Sequence, residues 1–117
     1  MILVCEDDDS LRELICAILR DEFEVSEAAD GDEAIALARA VRPELMVLDI
    51  MLPGRSGLEV IGDVRSTAET AAMRVIAMSA WDDVAEQALE AGADAFLQKP
   101  FLPDELVARV RGMLGHP

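Results

Sequence analysis

The stretch Leu45-Met46-Val47-Leu48 is apolar at every position and stops at Asp49. A strand with one wet face alternates polar and apolar residues. An unbroken apolar run belongs instead to a parallel strand covered on both faces. Residues 2–6 and 75–78 repeat the pattern, and residues 23–27 and 95–98 read as shorter strands. Between these runs the apolar spacing changes to that of a helix. Over residues 9–21 it places Leu11, Leu14, Ile15, Ile18 and Leu19 on one face. Asp30-Gly31-Asp32 turns the chain into a helix carrying Ile35, Ala38 and Val41, which Pro43 stops. Residues 57–66 form a weaker helix, and residues 82–91 form another that ends at Gly92 as C-cap. A last helix starts at Pro103 with Leu106, Val110 and Leu114 in line. Five strand–helix units make an α/β fold: a doubly wound five-stranded parallel sheet with helices on both faces.

The 117 residues suit a single domain spanning 1–117, and no repeat, linker or low-complexity stretch divides them. A hydrophobic content of 52% excludes a disordered chain. The apolar runs are too short to span a membrane, and no basic segment precedes the first, so a secretory signal is not expected. With Cys5 and Cys16 as its only cysteines, the expectation is a reduced cytoplasmic protein. Cys5 reads as a small strand hydrophobe and Cys16 as a residue on the flank of its helix. Ten Lys and Arg against 24 Asp and Glu give a formal charge of −14, which argues against direct binding of nucleic acid or an anionic membrane.

In open parallel sheets, sites form at the carboxyl ends of the strands, near the point where strand order reverses. Glu6 and Asp7 end the first strand, Asp49 the third, Ser79 the fourth and Lys99 the fifth. Each has a bland explanation alone: a turn acid, a hydroxyl bonded to backbone, a solvated lysine. Their concentration at one sheet edge does not. Three carboxylates sharing a cleft should depress each other's ionisation, and a hard divalent cation resolves the conflict. Mg2+ suits carboxylate oxygens plus retained waters. Carboxylate, metal, ammonium and hydroxyl together describe a phosphoryl-transfer site. Asp49 is placed to be both metal ligand and nucleophile. Asp8 and Asp9 read as caps of the following helix.

Four segments, ILVCEDDDSLR at 2–12, LMVLDIMLPGRSGLE at 45–59, VIAMSAW at 75–81 and AGADAFLQKPF at 91–101, occur in order. Together they resemble the receiver domain of bacterial two-component response regulators (CheY-like) over essentially the full length. The resemblance implies a flavodoxin-like sheet of order 2-1-3-4-5. It also implies that Asp49 is the phosphoacceptor, charged by a histidine kinase or histidine phosphotransfer protein. Asp7, Asp49 and the Met51 carbonyl would ligate Mg2+, with Glu6 reached through water. Ser79 would be the switch hydroxyl, Lys99 the phosphoryl-pairing lysine, Lys99-Pro100 a cis peptide and Phe96 the aromatic switch. Pro53 and Gly57 would shape the loop after the acceptor, with Ser56 where an acid is common. Signalling would pass through residues 82–114 to a partner or output domain, no output domain being expected within residues 1–117. Such a protein is not an enzyme but a phosphoacceptor that assists its own phosphorylation and slow dephosphorylation. Two other readings compete: a haloacid-dehalogenase-type phosphatase using Asp7 as nucleophile, and an interaction module that works without phosphorylation. Met51 and Trp81, each two positions beyond a site residue, are large and apolar and should crowd the path of a hydrolytic water.

Overall fold

The computed structural model describes residues 1–115. Each apolar run becomes a strand: β1 (Ile2–Cys5), β2 (Val25–Ala28), β3 (Leu45–Asp49), β4 (Arg74–Ser79) and β5 (Ala95–Gln98). The helices are α1 (Asp9–Arg20), α2 (Gly31–Val41), α3 (Gly57–Ser66), α4 (Ala85–Ala91) and α5 (Pro103–Leu114). All strands are parallel, in the order β2-β1-β3-β4-β5. Order therefore reverses between β1 and β3, which lie side by side, with Val4 opposite Val47.

Alternate side chains of these strands enter opposite layers, as the two-residue period requires. Leu3, Cys5, Met46, Leu48, Val75 and Ala77 pack against α2, α3 and α4, through residues such as Ala34, Ile35, Ile61 and Ala88. Ile2, Val4, Leu45, Val47, Ile76 and Met78 pack against α1 and α5, through Ile15, Leu19, Leu106 and Val110. Burying one such aliphatic side chain contributes about 1.5–3 kcal/mol, so the sheet edge bearing the polar residues rests on a rigid platform. No helix among the described residues is long and apolar enough to cross a membrane.

Several sequence expectations need correction. Leu14 does not share the buried face of α1; it is 54% exposed and lines an apolar pocket with Leu11, Ile18, Pro100 and Phe101. Cys16 is fully buried rather than on the flank, because α1 packs against both the sheet and α5. Val41 is exposed at the end of α2. Phe23 and Glu24 precede β2 instead of opening it; the Phe23 N–H closes the end of α1 on the Leu19 carbonyl. Residues 82–91 do not form one helix. Asp82–Val84 make a 3-10 turn before α4, and no side chain caps either start. Gly92 is the C-cap, with φ of 121°.

Candidate phosphoryl-transfer site

The β1 pairing continues one residue beyond Cys5, the Glu6 N–H donating to the Ala28 carbonyl at 3.0 Å. This buries Glu6 to 1% exposure at the switch point. Asp8 is the N-cap of α1: its carboxylate accepts the Leu11 N–H at 2.8 Å, and its own N–H donates to Glu6 Oε2 at 3.1 Å. Of the two acids expected as caps, only Asp8 caps. Asp9 is the first helical residue and pairs with Arg12 at 2.7 Å. Asp7, between Glu6 and Asp8, is exposed.

Asp49 closes β3 and is 4% exposed. Its Oδ1 accepts the Met51 N–H at 2.9 Å, and its Oδ2 accepts Lys99 Nζ at 2.8 Å. The same ammonium donates to Glu6 Oε1 at 2.5 Å. Lys99 is fixed through its backbone, where its N–H donates to the Ser79 carbonyl at 2.8 Å. Ser79 is buried at the end of β4, one residue past Met78, the partner of Asp49 across the sheet. Its Oγ accepts the Trp81 N–H at 3.1 Å. The acceptor strand also needs Gly57, since a Cβ there would lie 2.7 Å from the Asp49 carbonyl oxygen and 2.6 Å from Ile50 Cα. That close approach lets α3 start directly over the strand end, with Ser56 capping it through the Glu59 N–H.

Burial is the chief cause that raises the Glu6 pKa, and the nearby Asp49 charge adds to it, while Lys99 and the Asp8 N–H pull the other way. Mutual depression of ionisation among the acids is thus not what moves Glu6 most. For Lys99, burial disfavours the ammonium, yet its hydrogen bonds to Asp49 and Glu6 outweigh that, so its pKa is raised. The ammonium therefore stays charged between two buried acids. A carboxylate oxygen from each of Glu6, Asp7 and Asp49 lies within 4.8 Å of the others. Three carboxylates against one ammonium leave two negative charges, and Asp7 gives the cleft a wet side. That donor set fits a divalent cation with oxygen ligands and retained waters.

The family model for the response regulator receiver domain matches residues 2–111. The chain belongs to that family. It is 42% identical over 114 residues to the DNA-binding response regulator MtrA of Mycolicibacterium smegmatis, covering 97% of this chain and 50% of that protein. The probable transcriptional regulatory protein TcrX of Mycobacterium tuberculosis is 40% identical over 116 residues, with 97% and 49% covered. The chain thus spans about half the length of the curated relatives it matches. Among solved structures, the chemotaxis response regulator CheY4 of Vibrio cholerae superposes with a TM-score of 0.89 at 28% identity, covering 96% of each chain. The receiver domain of a sensor histidine kinase of Pseudomonas aeruginosa PAO1, with magnesium coordinated in its active-site cleft, gives 0.90 at 29% identity, covering 97% and 96%. The flavodoxin-like order 2-1-3-4-5 is that of these receiver domains.

Glu6, Asp7, Asp49, Ser79 and Lys99 all reach the carboxyl edge of this receiver sheet, and Lys99-Pro100 is cis. Met51 meets the acceptor through its N–H; Met51 and Trp81 are 60% and 63% exposed. Phe96 lies on β5, half-buried against the α2–α4 layer. Arg12 closes the 2–12 segment, where the motif gives it no role. Its guanidinium reaches the Glu6 carbonyl and Glu27 on β2, a contact set by strand order rather than by local spacing.

Proposed function

We propose that this receiver domain is a phosphoacceptor switch in which Asp49 takes a phosphoryl group from a histidine kinase or histidine phosphotransfer protein. The observation that carries the reading is the Lys99 bridge, which holds Asp49 at the dry end of β3 beside Glu6. In the transfer, an Asp49 carboxylate oxygen forms the new bond to phosphorus while the bond from phosphorus to the donor imidazole nitrogen breaks. The donor imidazole, protonated on its other ring nitrogen, departs as neutral imidazole.

Lys99 leaves the Asp49 oxygen it now holds and follows the charge onto the incoming phosphoryl oxygens. The Met51 N–H keeps the other Asp49 oxygen in place. Ser79 Oγ, now an acceptor from Trp81, retains its own O–H for a phosphoryl oxygen. Mg2+ held by Asp7, Asp49 and the Met51 carbonyl, with Glu6 at the second rank, would supply charge neutralisation. Inward movement of Ser79 would free space for Phe96 and remodel residues 82–114, the face offered to a partner or output domain. Within that face, no side chain caps the 3-10 turn or the start of α4.

The chain acts as a phosphoacceptor that carries one phosphoryl group at a time and assists its own phosphorylation and slow dephosphorylation, not as an enzyme that turns over phosphate monoesters. The test is incubation with excess small acyl phosphate and Mg2+, reading phosphoryl uptake and release of inorganic phosphate from simple monoesters. Uptake should stop at one phosphoryl group per chain, with no monoester hydrolysis and none taken up by Asp49→Asn. Sustained monoester turnover would contradict the proposal and favour a phosphatase.

A further inference from the structure

Three successive peptides carry Glu6 and Asp7 into the cleft, and each is held by a different group. The Cys5–Glu6 peptide donates to the Ala28 carbonyl, and the Asp7–Asp8 peptide donates to Glu6 Oε2. The middle one, Glu6–Asp7, is held from outside the site by Arg12 of α1. The Arg12 side chain is only 16% exposed, and all three guanidinium nitrogens are engaged. Nη1 donates to the Glu6 carbonyl at 2.9 Å, Nε to Glu27 Oε1 at 3.2 Å and Nη2 to Asp9 Oδ1 at 2.7 Å. The other Glu27 oxygen accepts from Arg20, a largely exposed contact at 3.1 Å. A planar fork anchored on two carboxylates has little freedom left, so the carbonyl it holds has little either.

We propose that Arg12 is a positioning residue for cation binding and phosphoryl transfer. By fixing the Glu6–Asp7 peptide it sets where both carboxylates stand. The inference rests on the Mg2+ reading of the site above. Arg12 is a cation beside a cation site, so its charge alone opposes Mg2+, and neutralising it would tighten binding. Loss of positioning acts the other way, and groups that orient metal ligands typically matter about 10–100-fold in affinity.

The experiment titrates Mg2+ calorimetrically and as the concentration giving half-maximal phosphorylation by a small acyl phosphate. The proteins compared are native, Arg12→Met, Arg12→Lys and Arg20→Met. Arg20→Met removes the other cation on Glu27 without touching Glu6, so it controls for charge and for the loss of an ion pair. Arg12→Met should bind Mg2+ about tenfold more weakly. Arg20→Met should match the native protein. Arg12→Lys, which restores charge but not the three-armed fork, should stay weakened. Native or tighter binding by Arg12→Met, equal weakening by Arg20→Met, or full rescue by Arg12→Lys would each overturn the proposal. If Arg12→Met does not fold, Arg12→Lys decides alone, since its charge is unchanged and weaker binding then reports geometry. If the native protein takes neither Mg2+ nor phosphoryl group, the reading of the site falls and the positioning role with it. If the native protein binds and Arg12→Met equals it, only the positioning role falls.

Discussion

Lys99→Met removes the ammonium that bridges Glu6 and Asp49 and leaves two carboxylates facing each other at 1% and 4% exposure. Stripping the partner from a buried charge typically costs about 3–5 kcal/mol. Proton uptake sets a ceiling on that cost. A carboxyl of ordinary pKa 4.5 can be protonated near pH 7 for about 3.4 kcal/mol, at about 1.36 kcal/mol per pH unit. The expected loss is therefore at most about 3 kcal/mol, or up to roughly 10 °C in Tm for a chain of this size. The same ceiling gives the pH dependence. A folded-state carboxyl with a raised pKa binds its proton more tightly than the unfolded chain does, so the variant gains relative stability as pH falls. Near pH 5 the deficit should shrink to about 0.7 kcal/mol or less. In the native protein the raised pKa of Lys99 works in the alkaline range. Its contribution is fully present below the ordinary value of 10.5 and is lost as pH rises through the folded value. Urea denaturation of both proteins in a chelator, near pH 5 and near pH 7, measures the difference directly. No deficit near pH 7, or one that does not change with pH, would refute the reasoning that the two acids depend on this ammonium.

Asp7→Asn should weaken Mg2+ binding and block phosphorylation while leaving Tm unchanged or slightly raised, because Asp7 is exposed and its removal relieves repulsion; a Mg2+ titration and a melt check both halves. Ser79→Ala should still accept a phosphoryl group but should no longer transmit it to Phe96, read as the loss of phosphorylation-dependent chemical-shift change in that ring; a full native response would show that the hydroxyl is not the lever. The Met51 thioether is only a weak acceptor and the Trp81 indole N–H only donates, so neither gives an attacking water a good acceptor and the phosphorylated protein should decay slowly. Met51→Asn combined with Trp81→Glu should speed that decay by about tenfold, equivalent to about 1.4 kcal/mol, in a time course after donor removal in Mg2+. Equal lifetimes would end the shielding argument.

The layout of the sheet was legible because parallel strands leave unbroken apolar runs. Leu45-Met46-Val47-Leu48 could hardly be anything else, and a run that stops at an acid marks a strand end and a reactive group together. The edges were harder. β2 is half-buried along most of its length, so Phe23 looked as strand-like as Val25. Helix spacing placed Leu14 with its neighbours, whereas tertiary packing turned Cys16 inward instead. The irregular start of α4 comes from residues 81–84, which supply no side-chain cap, a signal that helical spacing alone does not carry. Within the site the residue types and strand ends could be read, but not who holds whom. Lys99 reaches Glu6 across 93 positions, and Arg12 meets Glu27 because β2 lies beside β1.

The central claim is that Asp49 itself becomes the covalent acceptor. After treatment with a small acyl phosphate in Mg2+, borohydride reduction of the acyl phosphate followed by peptide mass spectrometry locates the modified residue. The prediction is a single reduced side chain at position 49, present in the native protein, absent when Mg2+ is chelated and absent from Asp49→Asn. Reduction at position 7, or no reduced residue at all under conditions where the fold and Mg2+ binding are intact, would contradict it.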